Sequence, residues 1–93
     1  MNSIKINDIN YNIIKDEKHI LEEMDISEKL TEYFDNFDYI VGDLSYGLIR
    51  LKGFYQDSRA TLESNKISNL QNYLDKYCSY GCKWFIISKK YKE

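Results

Sequence analysis

The chain has 93 residues, 43 % of them apolar and 30 % charged, with no proline, two cysteines and one histidine. These are globular proportions for one small domain spanning 1–93, and they exclude a disordered or fibrous chain. The net charge of −2 gives no global attraction to nucleic acid, and no apolar run approaches the roughly 18 residues of a membrane helix.

The opening "MNSIKINDIN" lacks the basic-then-apolar pattern of a secretory leader, so the expected location is the cytoplasm, with reduced thiols. Ile4 and Ile6 alternate in a first strand over 3–6, "NDIN" (7–10) is turn chemistry, and 11–16 returns as a second strand. From 18 to 36 the pattern becomes helical. Leu21, Met24, Leu30, Phe34 and Phe37 form an apolar stripe, Asp16 is the expected N-cap, and Asp25 and Glu28 have capping-box spacing that marks a break or restart. Residues 38–43 and 48–55 read as strands around a turn at 44–47, where Gly47 is free to take positive φ. On the second of these strands Ile49, Leu51, Gly53 and Tyr55 share one face, and Leu48, Arg50, Lys52 and Phe54 share the other.

A polar stretch (56–65) leads to a second helix over 68–78, with Ser68 and Gln71 as a capping box and Ile67, Leu70, Leu74 and Tyr77 as its apolar stripe. Gly81 suits the helix stop, and "KWFIISKK" (83–90) is apolar enough to be a central strand. The order β-β-α-β-β-α-β predicts an α+β fold, a mostly antiparallel sheet packed with two helices. Charge is divided along the chain. Residues 1–45 carry four lysines against eleven carboxylates, a balance of −7. Residues 46–93 carry nine cations against four carboxylates, a balance of +5.

"FDYIVGDLSYGLIRLKGFY" (37–55) and "YCSYGCKWFII" (77–87) resemble the YutD-like family of small bacterial proteins. That family is similar in its aromatic-Asp-Tyr-Ile-Val-Gly-Asp segment, its Arg-Leu-Lys-Gly-Phe strand and its Tyr-Cys-x-x-Gly-Cys turn. The resemblance implies a soluble cytoplasmic protein of Gram-positive bacteria. It carries no catalytic residues onto this chain.

The residues themselves favour no reaction. Cys78 and Cys82 would be two zinc ligands where a structural site needs four, and Cys78 falls at a helix C-terminus, where the dipole opposes a thiolate. Both read as small core residues, with a thiol or zinc site as an alternative and no cofactor expected. His19 would have to serve any Ser-His or Cys-His mechanism, and it sits near an acidic helix start. Asp38 and Asp43 bracket a strand, where an Asp more often binds turn amides than forms a glycosidase pair. Arg50, Lys52 and Phe54 on one strand face suit single-stranded RNA. An acidic helix with exposed Tyr and Phe suits a protein partner. The leading expectation is a non-enzymatic protein-interaction or regulatory module with an unnamed protein partner, RNA binding being the alternative. Asp43, Tyr46, Arg50, Lys52, Phe54 and Tyr80 are the candidate surface.

Overall fold

In the computed structural model, residues 3–17, 19–45, 47–77 and 82–89 are described. Strands β1 (Ser3–Ile6) and β2 (Ile9–Lys15) form a hairpin. It is followed by a one-turn helix α1 (Ile20–Glu23) and a 3₁₀ turn at Glu32–Phe34. Strands β3 (Tyr39–Ser45) and β4 (Leu48–Phe54) form a second hairpin. Two 3₁₀ turns (Glu63–Asn65 and Ile67–Asn69) run into α2 (Leu70–Tyr77), and β5 (Lys83–Lys89) ends the described chain. The strands form one five-stranded sheet in the order β1-β2-β5-β3-β4, antiparallel at every step. The α+β expectation holds, and the apolar run of β5 does lie at the centre. Among the described residues no helix is long and apolar enough to cross a membrane.

The first turn is tighter than 7–10. Asn7 and Asp8 both take positive φ (53° and 66°), and Ile6 pairs directly with Ile9. This is a two-residue turn of the kind that matches strand twist, and Asn and Asp tolerate the left-handed region better than other side chains. Gly47 has φ 76° at the second hairpin, as its position demands. Tyr46 lies outside the described residues.

The expected helix over 18–36 is a correction. Regular helix stops at Glu23, and Met24 is already extended (φ −125°, ψ 136°). Asp25 accepts the Ser27 N–H at 2.9 Å, and such a local side-chain bond competes with helical pairing. The Asn7 amide donates to the Ser27 and Leu30 carbonyls at 3.0 and 3.1 Å, tying this irregular stretch to the first hairpin. The apolar positions still point inward: Ile20, Leu21, Ile26, Leu30, Phe34 and Phe37 are all buried, with Tyr11, Ile40, Phe85 and Ile87 of the sheet. Spacing identified what is buried, whereas local polar competition decided that it is not helical.

Asp16 does cap α1. Its two carboxylate oxygens accept the Ile20 and Leu21 N–H groups at 2.8 and 3.0 Å, amides with no partner inside the helix. Asp16→Ala is expected to cost about 1 kcal/mol, read as a lower urea midpoint at unchanged slope. The start of the second helical stretch differs from expectation: Asp57, not a Ser68–Gln71 box, accepts the Ser68 N–H at 3.1 Å, and Gln71 donates to Asp75 at 2.9 Å.

The opposite sheet face is covered by α2 and the turn before it. Val41, Phe54 and Ile86 are buried there, packed by Ile67, Leu70 and Tyr73. The sheet is thus a middle layer, with the 16–38 segment on one side and α2 on the other. Tyr11 lies in the larger core. Its burial, and secondly the negative charge of Asp35, push its phenol above the ordinary value, which is about 10. The folded state therefore favours the neutral phenol. The linked stability is complete below the unfolded value and falls as pH rises through the folded one. Tyr11→Phe is expected to flatten the alkaline side of a melting-temperature profile above pH ~10.

Candidate functional site

The residues that gather on the α2 side of the sheet start from one cross-strand pair. Asp43 on β3 stands opposite Arg50 on β4 and beside Trp84 on β5. Alternation sends all three to the same face. Asp43 is fully buried, at 0 % exposure. A carboxylate taken out of water needs a cation and hydrogen-bond donors, and it has both. The Arg50 guanidinium donates to Oδ2 through Nη2 at 2.7 Å and Nε at 3.2 Å. The Tyr73 hydroxyl donates to Oδ1 at 3.1 Å. One carboxylate therefore joins β3, β4 and α2.

Lys52, two residues along β4, lies over the neighbouring rings. Its Nζ is 5.2 Å from the Phe54 centroid and 5.9 Å from that of Tyr73. The two rings meet edge to face at 5.8 Å and 80°, a favourable arrangement for aromatic quadrupoles. Beside Lys52 an open groove of about 480 Å³ is lined by Ser64, Asn69, Asn72, Tyr73 and Lys76. Leu48, Arg50 and Lys52 thus form a row at alternate positions of the outermost strand, with Leu48 at 69 % exposure.

The second buried carboxylate, Asp38, accepts the Gln56 N–H at 2.9 Å and a hydrogen bond from Arg59 Nη1. The Arg59 guanidinium lies 5.5 Å from the Tyr55 ring centroid. Five residues of strand, about 17 Å at ~3.4 Å per residue, separate Asp38 from Asp43. A glycosidase pair needs carboxyls within roughly 5–9.5 Å, so these two form none. Asp38 instead secures the exit of β4.

The family model described as "Putative antitoxin YutD-like" matches residues 5–88. The chain belongs to the YutD-like family. A curated relative, "Putative antitoxin YutD" of Bacillus subtilis (strain 168), is 35 % identical over 88 residues, covering 92 % of this chain and 96 % of that protein. The solution NMR structure of protein yutD from B. subtilis matches the fold with a TM-score of 0.76 at 34 % identity, covering 99 % of this chain and 84 % of that one.

In this YutD-like chain four of the expected surface residues, Asp43, Arg50, Lys52 and Phe54, come together. Two of them do so in unexpected roles. Phe54 is fully buried (0 % exposure), so it offers no ring face to an RNA base and the stacking platform expected on this strand is absent. Asp43 is an internal anchor, not a surface acid. Tyr46, Tyr80 and Cys78 lie outside the described residues. His19 has φ 56° and stays on the exposed surface, with Nδ1 3.0 Å from a Glu22 carboxylate oxygen.

Cys82 is half-buried immediately before β5, with its sulfur in a disulfide. Among the described residues no three His, Cys, Asp or Glu side chains come close enough to hold a metal.

Tyr73 was the omission. It lies three residues after Leu70, on the same helical face, and that spacing could have placed it against the sheet. Nothing in the spacing of α2 pairs its hydroxyl with a carboxylate thirty positions earlier.

Proposed function

We propose that this YutD-like chain is a cytoplasmic partner-binding module that works by occupying another protein rather than by chemistry of its own. The observation that carries the reading is the row Leu48, Arg50 and Lys52 on the outermost strand. It sets an exposed apolar side chain beside basic groups on a sheet held rigid by the Asp43–Arg50–Tyr73 hydrogen bonds. Interfaces favour such anchors, an exposed apolar group and an arginine on a pre-organised support. The description of the matched family and of its Bacillus subtilis relative as a putative antitoxin supports the same reading, since an antitoxin acts by engaging a partner. Asp38 and Asp43 each answer to an arginine, an arrangement suited to holding structure.

Affinity capture of the tagged full chain from its host, with bound protein and bound RNA both identified, tests this. A protein partner held by the wild type and lost with Leu48→Asp is the expected result. Recovery of RNA without protein, or of the chain alone under crosslinking, overturns it.

A further inference from the structure

The outer edge of β4 carries information that its side chains do not. The Phe54 carbonyl accepts the Asp38 N–H at 3.0 Å, from the β3 side. The Tyr55 N–H and C=O bond in the other direction, to the Asn65 carbonyl at 2.7 Å and the Ile67 N–H at 2.9 Å. Backbone polar groups alternate in direction along a strand. Those of Gly53, Leu51 and Ile49 therefore point outward with those of Tyr55. The chain itself begins a sixth strand at this edge, the parallel bridge of Tyr55 with Lys66, and then turns away into α2. Among the described residues no other backbone hydrogen bond reaches the outer edge of β4. Gly53 is buried, so its outward groups are covered, and the reach open to strand addition runs from Leu48 to Lys52.

We infer that this edge takes an extended segment of the partner as an added strand, and that the segment alternates apolar with acidic side chains. The inference rests on the partner-binding reading. An added strand places alternate side chains on the two faces of the sheet. On one face they land beside Ile49 and half-buried Leu51, at the margin of the larger core, which calls for apolar groups. On the other they land beside Lys52, which lies over the Phe54 and Tyr73 rings, and beside the Asp43-paired Arg50; the Lys52 cation calls for carboxylates.

The same charges argue against a second copy of this chain. Antiparallel β4–β4 pairing centred on Leu51 sets Arg50 opposite Lys52 of the other copy, and like charges directly opposite one another destabilise a sheet. Basic side chains on an edge strand are a known means of preventing self-pairing.

The experiment is an NMR titration of the ¹⁵N-labelled full chain with an alternating glutamate–valine heptapeptide, and with a lysine–valine heptapeptide as its counterpart. With the acidic peptide the amide signals of Ile49 and Leu51 should move and their hydrogen exchange should slow, while the basic peptide leaves them unchanged. Leu51→Pro removes an outward N–H without touching the β3–β4 ladder and should abolish binding. Lys52→Glu, which keeps the backbone, should weaken it about tenfold. Acidic peptide that leaves the Ile49 and Leu51 amides unmoved, or that binds Lys52→Glu equally well, overturns the inference.

Host capture with Leu51→Pro separates the two levels. A partner retained equally by this variant overturns the strand-addition mode and leaves the module standing. A wild type that recovers no protein overturns both.

Discussion

Replacing Arg50 with alanine is expected to lower folding stability by about 3 kcal/mol, and to do more damage than replacing its partner Asp43 with asparagine. The asymmetry follows from burial. The Asp43 side chain is 0 % exposed and that of Arg50 is 47 % exposed. Without Asp43, the guanidinium turns to water, and the loss is that of its hydrogen bonds, about 1–2 kcal/mol. Without Arg50, a buried carboxylate is left with the Tyr73 hydroxyl as its side-chain donor among the described residues. An uncompensated buried charge costs roughly 3–5 kcal/mol, and the half-open arginine position, which admits water, sets the lower end. Against a total of about 5–15 kcal/mol for a domain, that is a large share. The combined variant Arg50→Ala with Asp43→Asn should recover part of the loss, because the stranded charge is gone. Urea unfolding of the three variants measures all of this, and an Asp43→Asn loss equal to or above that of Arg50→Ala would show that the carboxylate is not the costly partner.

Gly42→Ala is expected to cost a similar amount, about 3 kcal/mol, by a different mechanism. A Cβ at Gly42 would stand 2.3 Å from Cε2 and Cζ of Phe85 and 3.1 Å from Cδ2 of Leu51. Phe85 is fully buried on the central strand, inside the larger core, so the ring has nowhere to retreat without displacing its neighbours. Gly53 has contacts as close, 2.2–2.5 Å to Cγ, Cδ1 and Cδ2 of Phe37, and Phe37 is also buried in the larger core. These atoms lie at the root of the ring, which a side-chain rotation moves least, so Gly53→Ala should cost at least as much as Gly42→Ala. Trimming the obstacle with Phe85→Leu in the Gly42→Ala background should return part of the stability. A loss below about 1 kcal/mol at Gly42→Ala, or no rescue by Phe85→Leu, would refute the account.

Much of the candidate surface was readable because it lies on one strand. Period-two alternation put Leu48, Arg50, Lys52 and Phe54 on a common face without any knowledge of the fold. Alternation says which side chains share a face, but not how deep that face lies. Phe54 is therefore found under α2, with Lys52 above it, where a solvent-facing ring was expected. Asp43 looked like a turn residue because its strand was expected to end there. The strand continues to Ser45, and two more residues of pairing carry Asp43 into the interior. The glycines show the same limit. Gly47 was recognisable from its turn, whereas the closeness of Gly42 to Phe85 depends on two strands that neighbour each other only in the folded sheet.

Hydrophobic periodicity, turn chemistry and family motifs by themselves determined the order of elements, the α+β class, the central position of β5 and the family. Each is written in residues near one another in the chain. Tertiary structure decided the rest: that the 16–38 segment packs its apolar side chains without forming a long helix, that Asp43 is neutralised by Arg50 and hydrogen-bonded by Tyr73, and that β4 lies at the sheet's edge with outward amides at Ile49 and Leu51. These depend on which strand neighbours which and on how water is excluded between layers, and such long-range contacts leave no local period to read.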